Sequence, residues 1–173
     1  MLTRQLISLL TATVCASARQ LQQPEQPVVQ TTSGKIHGIV ENNVEQFWGV
    51  PYAQPPVNDL RWEPPQPLSP GSRKLIVNAT HLPPSCPQNP IGLPIFNKDV
   101  PQFQIQGYDS SNATSEDCLT LNVWSPATKS PGLYPVIVFL YGGHFTTGGN
   151  NVPYQIPAQW VERTQSHIVV SLK

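Results

Sequence analysis

Residues 135–141 of this chain, Pro-Val-Ile-Val-Phe-Leu-Tyr, run directly into Gly142-Gly143-His144-Phe145-Thr146-Thr147-Gly148-Gly149. No other feature constrains the fold as tightly. The apolar run predicts a buried strand, and the glycines predict a tight turn at its end. A second continuous apolar stretch occupies residues 168–170. Both stretches read as strands covered on both faces, as parallel sheets require. Between them, residues 156–163 predict a short helix, with Pro157 tolerated in its first turn and Ala158, Trp160 and Val161 turned toward the sheet. Strand, glycine turn, helix and strand together predict an α/β sheet. A glycine turn at such a strand end lets bare N–H groups point into a cavity, where they can stabilise a developing oxyanion. No Gly-x-Ser-x-Gly nucleophile elbow occurs in the 173 residues.

The N-terminus has the three parts of an export signal. Arg4 supplies the charge, residues 5–14 the short apolar run, and Ala16-Ser17-Ala18 the small-residue cleavage site. The run is about half the roughly 20 residues that a membrane span needs. Residues 1–18 are therefore expected to be a signal peptide, residues 19–30 a flexible lead-in, and residues 31–173 the folded part, secreted after cleavage near Ala18. Cleavage leaves Cys86 and Cys118. In an exported protein this pair reads as one disulfide, the alternative being two buried thiols. The sequons at Asn78 and Asn112 fit the same compartment as glycosylation sites.

Charged residues make up 12% of the chain and the net charge is zero, so it has no basic patch and nucleic-acid binding is excluded. Residues 35–40 and 44–50 predict two strands of a hairpin, with residues 41–43 between them. The prolines between 51 and 70 exclude a regular helix or a central strand there. Residues 74–77 predict one more short strand, and residues 81–115 a long polar loop. Leu119, Leu121 and Val123 alternate with polar neighbours, as in a half-buried strand. The chain has no internal repeat.

Two blocks carry a resemblance. Phe47-Trp48-Gly49-Val50-Pro51-Tyr52-Ala53-Gln54-Pro55-Pro56 is followed by Leu60-Arg61-Trp62, and further on stands Ser115-Glu116-Asp117-Cys118-Leu119-Thr120-Leu121-Asn122-Val123. In this order they resemble the type-B carboxylesterase family, the α/β-hydrolases that include cholinesterases and fungal secreted lipases. The resemblance implies an incomplete α/β-hydrolase fold, comprising the N-terminal strands and the first part of the central sheet. It also implies a Cys86–Cys118 disulfide and a buried structural ion pair between Arg61 and Glu116, with Asp117 structural as well. The oxyanion hole falls on Gly142, Gly143 and His144. The family usually has a third glycine where this chain has His144, whose Cβ and imidazole restrict φ while the N–H is kept.

The resemblance further implies a serine esterase or lipase that acts on a small carboxylic ester, with no cofactor and no metal. Its nucleophile, acid and histidine would lie beyond residue 173, and none of His37, His81, His144 or His167 is the catalytic one. After residues 168–170 the family continues Asn-Tyr-Arg, whereas this chain reads Ser171-Leu172-Lys173, so residues 31–173 are expected to be the N-terminal part of the domain. Residues 87–117 hold no tryptophan, only Phe96, Phe103 and Tyr108, which argues against a choline substrate. The alternatives are a non-catalytic secreted binding protein on the same scaffold and a product without independent function.

Overall fold

The computed structural model describes residues 26–32, 34–69, 76–89, 99–106 and 112–173. The expected signal segment, Lys74, Leu75, Phe96 and Tyr108 lie outside the described residues. The strands are β1 (Val28–Thr31), β2 (Gly34–His37), β3 (Ile39–Glu41), β4 (Val44–Pro51), β5 (Ile76–Asn78), β6 (Thr120–Pro126), β7 (Val136–Phe139) and β8 (Ile168–Leu172). One α-helix, α1 (Ala158–Thr164), lies between β7 and β8. A small sheet has the order β1-β2-β5, and a five-stranded sheet the order β3-β4-β6-β8-β7. In the larger sheet only β7 and β8 pair in parallel.

The predicted hairpin forms, but its first strand is broken. Residues 34–37 join the small sheet, and only Ile39–Glu41 pairs with β4. Gly38 stands at the break, where an added Cβ would lie 2.5 Å from the Gln46 carbonyl oxygen and 2.6 Å from the Phe47 ring. The two strand segments cross closely here, and any side chain would push them apart. The turn is closed by Asn42 at φ 49° and Asn43 at φ 64°. Left-handed conformation at both central residues matches the twist of the flanking strands. Val28–Gln30, expected within the lead-in, pair with β2 as part of β1.

Two apolar clusters sandwich the five-stranded sheet. Val44, Trp124 and Val169 pack with Val161 of α1, and Phe47 packs with Ile36 and Ala79 on the small-sheet side. The expected helix begins two residues later than predicted, after a single 3-10 turn at Pro153–Gln155. Val161 and Ala158 meet the core as expected, but Trp160 is 49% exposed and lies against the His167 ring at 4.3 Å.

Two strands depart from expectation. In β6 the buried positions are Thr120, Asn122, Trp124 and Pro126, not the alternating leucines and valine. The register between β4 and β6 shifts between Phe47 and Val50, a bulge that frees the Gly49 N–H. The Asn122 side chain accepts that N–H at 2.9 Å and donates to the Asn150 carbonyl at 3.3 Å. Trp124 Nε1 donates to Gln46 Oε1 at 3.0 Å. Buried polar groups tolerate burial when they are paired in this way. β7 is the reverse case: Val136, Ile137, Val138 and Phe139 are all exposed, although their sequence predicts cover on both faces. Among the described strands β7 stands at the edge of the sheet and pairs with β8 alone. No described helix is long and apolar enough to cross a membrane.

Candidate functional site

β7 delivers the chain into the glycine turn at one end of the sheet, beside the disulfide between Cys86 and Cys118. Between turn and disulfide lies a cavity of about 320 Å³, lined by Cys86, Gln88, Tyr141, Gly143 and His144 among others. Burial pushes the Tyr141 hydroxyl above its ordinary value, and Tyr52 is raised by burial and then by the neighbouring Tyr141. Both therefore remain neutral through the physiological range.

The turn is tightly wound. The Gly143 carbonyl accepts the N–H of Thr146 at 3.0 Å and of Thr147 at 3.2 Å, and the Thr146 hydroxyl at 3.1 Å. Gly143 has φ +135°, and a Cβ there would overlap the Thr147 carbonyl. Only glycine fits that position. His144 and Phe145 follow at φ 53° and 58°. Two consecutive side-chain-bearing residues in the left-handed region cost about 1–2 kcal/mol each. The histidine therefore adopts the backbone geometry that glycine would take without strain, and its N–H is retained. Among the described residues, the N–H groups of Gly142, Gly143 and His144 donate to no protein acceptor. Such uncommitted N–H groups beside a cavity can receive an anionic oxygen.

The other expected residues fall around this cavity or away from it. Arg61 Nε and Glu116 Oε1 form the predicted ion pair, but the side chains are 52% and 40% exposed, not buried. The Arg61 guanidinium also lies 5.1 Å from the Trp62 ring centroid. Trp62, Arg61 and Glu116 line a groove with Pro56 and Pro87. An exposed pair of this kind contributes at most about 1 kcal/mol. Asp117 is exposed, with its N–H donating to Ser115 Oγ at 3.2 Å. Asn78 and Asn112 are both exposed. His167 is buried, with Nδ1 3.2 Å from the hydroxyls of Thr164 and Ser166, and His81 Nδ1 lies 2.8 Å from Thr80 Oγ1. Phe103 stacks on Tyr154 at 4.4 Å, away from the glycine turn.

One residue of the site was not evident from sequence. Gln88, two positions after Cys86, places its side-chain amide against Thr147 and Gly148 of the turn. Nothing local marks it, since its partners lie about 60 residues downstream.

The sequence profile of the Carboxylesterase family matches residues 25–173. The chain is 42% identical over 151 residues to the chlorogenic acid esterase of Aspergillus niger, covering 83% of this chain and 28% of the relative. It is 35% identical over 164 residues to the cholinesterase of Mus musculus, covering 92% and 26% of the two chains. Among solved structures, a thermophilic PNB esterase superposes with a TM-score of 0.67 at 30% identity, covering 86% of this chain and 28% of the esterase. These structural neighbours have the α/β-hydrolase fold, of which the present strands form a part. The chain spans about a quarter of the length of the relatives it matches. With its signature blocks, its disulfide beside the glycine turn and this breadth of similarity, the chain belongs to the carboxylesterase family.

Proposed function

We propose that this chain is the N-terminal, oxyanion-binding portion of a secreted carboxylic-ester hydrolase. The reading is carried by the glycine turn, whose Gly143 and His144 N–H groups border the cavity without a protein partner among the described residues. When a serine attacks an ester carbonyl, the carbonyl oxygen takes up the electron pair and becomes an oxyanion. N–H groups already in place stabilise that charge, each by about 3 kcal/mol. The serine, acid and histidine come from polypeptide beyond the 173 residues, as the relatives' greater length supports. A neutral ester suits the cavity, since no described residue offers a tryptophan within residues 87–117 to hold a quaternary ammonium.

Export is part of the same reading. It rests on the signal-like residues 1–18, the disulfide, and similarity to a secreted lipase of Gibberella zeae at 37% identity. Exposed Asn78 and Asn112 would then be glycan acceptors. The test is fluorophosphonate labelling of the protein as its source secretes it. A labelled polypeptide that yields peptides of residues 31–173 supports the hydrolase. A folded, secreted protein that takes no label but retains small esters identifies a binding protein on the esterase scaffold instead.

A further inference from the structure

We propose that Gln88 is the positioning residue of the glycine turn, and that its side-chain amide sets where the Gly143 and His144 N–H groups point. The consequence for catalysis rests on the oxyanion reading above, whereas the positioning itself does not. Gln88 Oε1 accepts the Gly148 N–H at 2.7 Å and the Thr147 hydroxyl at 3.0 Å. Gln88 Nε2 donates to the Gly148 carbonyl at 2.7 Å and to the Cys86 carbonyl at 3.1 Å. A primary amide has two good acceptor positions and two N–H donors, so its capacity is fully used. The amide orientation follows from the backbone itself: a peptide N–H can only donate and a carbonyl can only accept.

The turn needs such a holder. Its internal hydrogen bonds all converge on the Gly143 carbonyl and leave the far end without support. Both backbone groups of Gly148 find their only protein partner among the described residues in Gln88. Between these two ends lie His144 and Phe145, both in the left-handed region and both exposed. Strained, solvent-facing backbone relaxes unless its ends are fixed. Gly143 fixes one end from within, and Gln88 fixes the other from outside. The holder is itself anchored, because Cys86 is tied to Cys118, two residues before β6. The disulfide thereby reaches the turn through a single side chain.

The experiment is amide hydrogen exchange on the full chain, read by mass spectrometry over residues 141–149, with β6 and β8 as internal references. Gln88→Met keeps the length and volume and removes all four bonds. Gln88→Glu keeps the acceptor for Gly148 N–H and Thr147 but sets an oxygen against two carbonyls. The expected result is a loss of protection in the turn of about tenfold for Gln88→Met, and a smaller loss for Gln88→Glu, with β6 and β8 unchanged. If Gln88 merely fills space, Gln88→Met will protect the turn as the wild type does, and the proposal is overturned. A second measurement adds methylphosphonate as an oxyanion probe. Wild-type slowing of exchange over residues 142–144, weakened severalfold in Gln88→Met, supports both the positioning role and the oxyanion reading. No slowing in wild type, alongside a turn loosened by Gln88→Met, removes the oxyanion reading and leaves Gln88 as the holder of the turn.

Discussion

β8 has a neighbour on each side, and the two are opposites. β6 reads Thr-Leu-Asn-Val-Trp-Ser-Pro and buries Thr120, Asn122, Trp124 and Pro126, with intermediate exposure between them. β7 reads Val-Ile-Val-Phe and exposes every residue. The more apolar strand is the more exposed one. Burial in this sheet follows position in the strand order and the supply of hydrogen-bond partners, and hydropathy alone does not predict it. β6 is central, and its Asn122 and Trp124 side chains are accepted into the interior because Gly49, Gln46 and Asn150 meet them. β7 lies at the edge, where an apolar face has nothing described against it.

The sharpest way to break this comparison is Trp124→Ala. Trp124 is fully buried, packs against Val44, Val161 and Val169, and loses its bond to Gln46 when truncated. Cavity formation on this scale costs about 3–5 kcal/mol. Denaturant unfolding should show the loss; a change below about 1 kcal/mol would mean that β6 is not the centre of the fold.

Cys118→Ala attacks the approach to β6, two residues before the strand, where the disulfide holds the long loop across a sequence separation of 32. The chain-entropy model gives a loss of about 3.5–4 kcal/mol for a loop of this length. The same substitution should loosen the glycine turn, since Gln88 is anchored beside Cys86. Exchange that rises in residues 141–149 as well as in the loop would confirm the link.

The β6 side also holds a partly buried lysine. Lys173 donates its N–H to the Thr120 carbonyl, and its Nζ donates to the carbonyls of Pro83 at 2.8 Å and Pro84. Burial lowers its pKa to about 7. A lysine whose folded pKa lies below its unfolded value binds fewer protons folded than unfolded between the two. Stability contributed by this group is therefore weakest below pH 7 and rises with pH up to the unfolded value. Between pH 7 and 9 the gain is about 2 kcal/mol. Thermal melting across that range should show the rise in wild type and a flatter profile in Lys173→Met.

Sequence alone placed the strands where apolar runs are bounded by turn residues, and it found the glycine turn because Gly142, Gly143, Gly148 and Gly149 are visible as such. It did not find the break at Gly38, because the close approach of Gln46 and Phe47 exists only once the chain has crossed itself. The buried face of β6 was misassigned for a similar reason. Whether Asn122 can be buried depends on a bulge in β4 and on a carbonyl 28 residues downstream. Gln88 was missed on the same ground. The resemblance implied a buried pair of Arg61 and Glu116, but a likeness in sequence blocks does not fix how deep a pair sits, and this one lies on the surface.

On the turn the sign of a substitution should reverse. His144→Gly relieves a side-chain-bearing residue at φ 53° and disturbs no buried contact, since His144 is exposed. The expected gain is about 1 kcal/mol, reduced by the greater backbone freedom of glycine in the unfolded chain. A destabilisation would show instead that the imidazole makes contacts that stabilise the turn.

The smallest effect is expected at the edge strand, where it is the most discriminating. Val138 is 59% exposed in β7, beside Val136 at 56% and Phe139 at 38%. Val138→Lys should change unfolding stability by no more than about 0.5 kcal/mol, because little apolar contact is lost. Association should change far more. Residues 136–139 carry no charge and no proline, and one side of their backbone is unpaired among the described residues, a combination that favours pairing between copies of this 173-residue chain. A lysine on that edge opposes such pairing by repulsion and by the cost of desolvating the ammonium. Sedimentation should therefore show less self-association in Val138→Lys at equal stability. If the lysine instead costs as much as a core substitution, β7 is covered in solution, and the contrast with β6 fails at its exposed end.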